Sequence, residues 1–183
     1  TGLRVGELSA LQWEDIDFEK KVLYVKHTLC YFSKNGKYLF EMHDTKTNNG
    51  KRTIPLTAKA IHSLKCQKMQ KQEIILKGKI AKEEFQNLVF VTKNNQPTQQ
   101  FLINQCMQLV IQNINKAGIY FAPFTLHTLR HTFATRAIEC GMNPKTLQKL
   151  LGHGTLQMTM DLYCHVTEDT LFLEMERFEK RCS

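Results

Sequence analysis

Apolar residues recur along this chain at two spacings, and the change of spacing divides it. In the first third they alternate with polar residues or crowd into β-branched and aromatic runs. Segments 21–29 (KVLYVKHTL), 38–46 (YLFEMHDTK) and 51–56 (KRTIPL) therefore predict three strands. Asn48-Asn49-Gly50, between the last two, carries the Asn-Gly hairpin signal, so the strands are expected to form one small antiparallel sheet. Ahead of them, residues 6–11 predict a short helix with Val5, Leu8 and Leu11 along one side.

Beyond residue 56 the spacing becomes helical. Residues 57–76 place Ala60, Ile61, Leu64 and Met69 among lysines, and NLVFVT (87–92) is a short strand or extended piece. A helix over 99–117 is expected after Pro97, capped by Thr98 and closed by Gly118. Further helices follow at 125–140, ended by Gly141, at 144–151, ended by Gly152, and at 159–165. The last, 168–180, begins after Thr167 as N-cap and aligns Leu171, Met175 and Phe178. Its other face carries Glu168, Asp169, Glu174, Glu176 and Glu179. The fold class is mostly α with a small antiparallel β-sheet.

Composition narrows the function. With 183 residues, 42% apolar and 23% charged, the chain suits one globular domain. No apolar run approaches the roughly 20 residues that span a bilayer, and no signal peptide is expected ahead of Thr1. The net charge of +8 favours a polyanionic partner. It is concentrated: residues 45–82 hold ten lysines and arginines against one acid, Glu73. A stripe of one sign is expected to face phosphate. The six cysteines form no CxxC pair, so neither a disulfide framework nor a zinc ribbon is expected. His127 and His131 are four apart, but the glutamate of the HExxH zinc pattern is missing, and no metal is expected there.

The chemistry-bearing residues are scattered. In LHTLRHTFATR a helix puts His127 and Arg130 on one face, a pair able to grip and protonate a phosphodiester. HxxR is weak alone, and a structural histidine beside a surface arginine explains it better. Tyr163, between His153 and His165, by itself reads first as a packing residue.

The stretches taken in order carry more. TGLRVGELSALQWEDID at the front, Lys46 in DTKTNNGKRTIPL, HTLRH, and LGHGTLQMTMDLYCHV together resemble the catalytic domain of the tyrosine recombinases, the phage-integrase family. The likeness is to integrases of conjugative transposons and temperate phages. It implies a mobile-element enzyme that cuts and rejoins DNA without cofactor or metal. Arg4 and Arg130 match the two catalytic arginines, Lys46 the lysine of the sheet, and His127 the first residue of His-x-x-Arg. His153 matches the later histidine or tryptophan, Tyr163 the nucleophile, and Glu7 an acidic brace. Lys51, Arg52, His131 and Arg136 are expected as DNA contacts or packing, and His165 as structural.

The resemblance further implies double-stranded DNA attachment sites, a tetramer on DNA, room for accessory DNA-bending or excision factors, and a bacterial cytoplasmic, nucleoid-associated location. Residues 1–183 would be the catalytic domain, with the N-terminal core-binding domain absent and 167–181 as an exchange helix.

The chemistry is coherent. A tyrosine hydroxyl has a pKa of about 10, so only ~0.1% is phenolate at neutral pH. Attack needs fixed positive charge and a proton acceptor, and the leaving 5′ oxygen needs an acid. Two rivals stay open. ATRAIECGMNPKTLQKLLGH also scans as a helix-turn-helix of a non-enzymatic regulator. A type IB topoisomerase would use the same chemistry without choosing a sequence.

Overall fold

The computed structural model of the chain describes residues 1–45, 50–163, 172, 175, 176 and 178–180. Lys46, Asn48-Asn49, His165, the Thr167 cap and most of the expected last helix lie outside the described residues, as does the Tyr163 side chain.

The chain opens with α1 (Val5–Ala10), a 3-10 turn at Trp13–Asp15, and strands β1 (Ile16–Asp17) and β2 (Val22–Val25). Strands β3 (His27–Lys34), β4 (Lys37–Asp44) and β5 (Arg52–Pro55) follow. The helices are α2 (Ala58–Leu76), α3 (Gln100–Lys116), α4 (Leu126–Glu139), α5 (Pro144–Leu151) and α6 (Gln157–Met160), and a 3-10 turn covers Asp161–Tyr163.

Two features of the strand region differ from expectation. Segment 21–29 is not one strand: the chain passes from one sheet to another at Lys26, whose ammonium is held 2.7 Å from the buried Asp15 carboxylate. The expected hairpin of 38–46 with 51–56 is also replaced. β4 pairs with β3, while β5 pairs with β2 in a separate β1-β2-β5 sheet. The hairpin turn is Asn35-Gly36, where both residues have positive φ (53° and 73°), as a tight turn matched to strand twist requires.

The helices agree better. α2 is capped by the Thr57 side chain, α4 by Thr125 and α5 by Asn143. The cap of α3 is Gln99 rather than Thr98, whose hydroxyl instead lies 3.4 Å from the Phe90 carbonyl. The predicted 159–165 helix starts earlier and tightens: α6 begins at Gln157 and gives way to the 3-10 turn. The buried side of α1 holds Glu7, Ser9 and Ala10 rather than Val5 and Leu8. This side closes on β3, where a Cβ on Gly6 would come within 2.4 Å of Thr28 Oγ1.

Three apolar clusters hold these elements. Leu11, Leu23, Val25, Ile54, Leu56 and Leu64 pack the β1-β2-β5 sheet on α2. Ala10, Leu29, Phe85 and Leu88 join α1 to β3. Ala134, Ala137, Leu147 and Leu151 join α4 to α5, with Leu162 packed against them. Helix α5 bridges two of these, since Leu150 packs on the sheet cluster while Leu147 and Leu151 are buried in the other.

The basic stripe is only partly a free surface. Lys71 is buried and donates to the carbonyls of Gln86 and Leu88, pinning the 77–88 connection to α2. Lys68 lies over the Trp13 ring, 5.8 Å from its centroid. Lys59, Lys65, Lys77, Lys79 and Lys82 are exposed.

Candidate active site

The site is built where α5 ends. The last carbonyls of a helix have no partner within it and carry the negative end of its dipole. Here three arginines from three separate elements take them in turn. Arg52 Nε donates to Leu150 O at 2.7 Å, Arg130 Nη2 to Leu151 O at 2.7 Å, and Arg4 Nη2 to Gly152 O at 3.0 Å. Gly152 adopts the left-handed conformation (φ 66°) that turns the chain out of the helix.

One carboxylate serves this group. Glu7 Oε1 accepts from Arg4 Nη1 (2.8 Å) and Arg52 Nη1 (3.0 Å), and Oε2 from the Arg4 backbone N–H (2.8 Å) and Arg52 Nη2 (2.8 Å). Its four acceptor positions are filled. Burial alone would raise its carboxyl, but the Arg52 fork and the Arg4 bonds outweigh that and hold it below the ordinary glutamate range.

Arg130 is buried and fixed from both sides, since Nη1 also donates to Gly2 O at 2.5 Å. Gly2 has φ 65°, and a Cβ there would meet Phe133 at 2.5 Å, so glycine is what lets that carbonyl approach. Burial, then repulsion from Arg4, brings the Arg130 guanidinium down to about 10, still charged at neutral pH. Arg4 differs. Its side chain is 43% exposed, so it is tethered at the rim and open to solvent.

His153 follows directly. Its Nδ1 lies 2.9 Å from the hydroxyl of Thr159, a fully buried residue of α6, and its carbonyl accepts from Gln148. Burial, then the nearby Arg130 and Arg4 charges, lowers its imidazole from 6.5 to about 4, so it is neutral at physiological pH. The 3-10 turn that ends at Tyr163 packs against α4 and α6.

The structure therefore brings Arg4, Glu7, Arg52, Arg130 and His153 together. His127 and His131 sit exposed on α4, their rings edge to face with centroids 4.4 Å apart. Among the described residues no group of three His, Cys, Asp or Glu could hold a metal ion. Arg136 is exposed on the same helix. Lys51 is half exposed and paired with Asp44 at 2.6 Å.

Arg52, expected as a DNA contact or a packing residue, is held inside the protein. Its side chain is 6% exposed, and Nε, Nη1 and Nη2 all have protein acceptors, Gly50 O included. The signal was present in KRTIPL: strand alternation puts residue 52 on the same face as the buried Ile54 and Leu56. Thr159 was missed as well, because nothing in a sequence marks one threonine as the partner of a histidine six residues earlier.

Beside Arg52 and His153 lies a cleft of about 650 Å³, lined also by Lys51, Thr53, Lys145 and Lys149, with no acid among its lining residues. Three guanidiniums against one carboxylate leave a net positive centre suited to a single anionic group.

That fold and charge pattern has relatives. The chain matches the phage integrase family over residues 1–170 and belongs to it, among the tyrosine recombinases. It is 31% identical over 184 residues to the transposase of transposon Tn916 from Enterococcus faecalis, covering 98% of this chain and 43% of that protein. It is 35% identical over 173 residues to a XerC-like tyrosine recombinase of Caldanaerobacter subterraneus, covering 91% of this chain and 43% of that one. The integrase of transposon Tn1549, solved in complex with transposon right end DNA, superimposes with a TM-score of 0.78 at 33% identity, over 97% of this chain and 55% of that chain. The chain thus spans about half the length of the relatives it matches.

Proposed function

We propose that this chain is the catalytic domain of a site-specific recombinase that acts on double-stranded DNA attachment sites of a mobile element. The carrying observation is the cluster of Arg4, Arg52 and Arg130 on the C-terminal carbonyls of α5 with Glu7 as its one carboxylate. Arg4 and Arg130 neutralise the non-bridging oxygens of the scissile phosphate. The Tyr163 hydroxyl attacks phosphorus, the bond to the 5′ oxygen breaks, and a 3′-phosphotyrosyl link and a free 5′-hydroxyl result. His127 takes the tyrosine proton, Lys46 supplies one to the leaving oxygen, and His153 donates a hydrogen bond to the phosphate. Attack by a 5′-hydroxyl from another strand reverses the step and rejoins the DNA.

Lys51, His131, Arg136 and the cleft lysines contact the flanking backbone in this reading. Affinity should then fall steeply with salt. The length of the relatives that this chain does not span would supply the other half of a clamp around DNA. Four protomers assemble on DNA through the 167–181 segment, where Phe172, Met175 and Phe178 are exposed apolar residues. The setting is the bacterial cytoplasm, on the nucleoid; no helix among the described residues is long and apolar enough to cross a membrane.

The test is a nicked suicide duplex incubated with the full-length protein and run on a denaturing gel. The wild type forms a covalent adduct, and Tyr163→Phe binds DNA but forms none. An adduct persisting at wild-type level would assign the nucleophile elsewhere, and its absence from wild type would favour a non-enzymatic regulator. Relaxation of supercoiled DNA lacking any attachment site would favour the topoisomerase.

A further inference from the structure

We propose that Arg52 is a positioning residue of the cleavage centre, holding Arg4 through Glu7 and holding the end of α5, where the other guanidiniums are anchored. The inference rests on the recombinase reading above.

Three observations carry it. Arg52 meets Glu7 with two parallel bonds, Nη1 to Oε1 (3.0 Å) and Nη2 to Oε2 (2.8 Å), the geometry that fixes a carboxylate in plane. That carboxylate in turn holds both the backbone N–H and a guanidinium nitrogen of Arg4. The third contact, Nε to Leu150 O, sits one residue before the carbonyl that anchors Arg130 and two before the one that anchors Arg4.

The base of the side chain is itself fixed. Arg52 lies opposite Val25 in the β2–β5 ladder, with Leu23 opposite Ile54 in the next inward pair. A strand in register on one side and a helix end on the other leave the guanidinium one place to be. Packing would be better served by an apolar residue: Ile54 and Leu56 fill the same strand face, and burying a cation beside two others is unfavourable. A cation at this point makes sense as orientation and added field. Arg4 carries the opposite pattern, being 43% exposed and able to swing unless its carboxylate partner is rigid. A lysine at 52 could not replace the fork, because one ammonium cannot meet both Glu7 oxygens in plane and Leu150 O together.

The experiment uses the full-length protein and two scissile linkages in the nicked duplex, a normal phosphodiester and a methylphosphonate. The second lacks the negative oxygen that Arg4 neutralises. Arg52→Lys and Arg52→Gln are compared with wild type for DNA affinity, thermal midpoint and single-turnover cleavage. On the phosphodiester both should cleave about a hundredfold more slowly, the scale expected for a misplaced catalytic group, with binding kept. On the methylphosphonate the loss should shrink to within a few-fold of wild type, as it should for Arg4→Ala. Wild-type rates in the variants, an equal loss on both linkages, or a collapse of the thermal transition in both variants would each overturn the proposal. Failure of the wild type to form any adduct would instead overturn the recombinase reading.

Discussion

His153 Nδ1 lies 2.9 Å from Thr159 Oγ1, and the threonine is wholly buried. We propose the neutral tautomer in which the hydroxyl donates to Nδ1 and the proton stays on Nε2, the nitrogen that would then donate to a phosphate oxygen in the recombinase reading. Thr159→Val keeps the shape and removes the hydroxyl. Leaving Nδ1 unpaired should cost about 1–3 kcal/mol and slow cleavage, while Thr159→Ser should restore both. Urea unfolding, with the ring tautomer read by nitrogen-15 NMR, decides it; an unchanged tautomer in the valine variant refutes the role.

His153 also sets a pH dependence. The unfolded chain binds a proton there at about 6.5, the folded chain only near 4. Between those values the unfolded state holds the extra proton, so stability should fall as pH drops through this window. Glu7, held below its ordinary value, acts in the same direction at lower pH. Chemical denaturation at pH 7 and pH 4.5 should show a difference that His153→Gln reduces. Direct NMR titration of His153 near 6.5 would contradict the assignment.

Arg130 is bound at both ends of its fork, to Gly2 O and Leu151 O. Arg130→Lys keeps charge but not both contacts, so single-turnover cleavage should drop by about 10²–10³. A rate within a few-fold of wild type would show that a point charge suffices.

Gly6 carries a purely structural expectation. An alanine Cβ would meet Thr28 Oγ1 at 2.4 Å and Leu29 O at 3.3 Å, and the second contact is backbone. Gly6→Ala should destabilise by about 1–3 kcal/mol, as overpacking does. Gly6→Ala with Thr28→Ala should recover part of it, since the nearer atom belongs to the threonine. Thermal melts of the two variants measure this, and equal midpoints would refute the steric account.

Much of the helical half was legible because caps and stops are local. Asn143-Pro144 starts α5 and Gly152 ends it, and each needs only its neighbours in sequence. The strands were legible as strands but not as partners. Pairing depends on distant residues, and Asn48-Asn49-Gly50 drew the hairpin away from Asn35-Gly36, where positive φ at both residues makes the turn. In the site, Arg4, Glu7, Arg130 and His153 came forward through the family's motifs. Arg52 did not, although its strand parity was visible. A charged residue at an inward position reads as an exception until the carboxylate awaiting it is seen.

Leu150 on one face of α5 belongs to the sheet cluster, and Leu147 and Leu151 belong to the helical one. The arginines that the proposed chemistry needs are anchored on the end of that same helix. Neither half of the domain can assemble the charge alone, so an incompletely folded chain would lack the geometry to open a phosphodiester. The proposed cleavage centre would then exist only where both halves have folded, a safeguard built from connectivity alone.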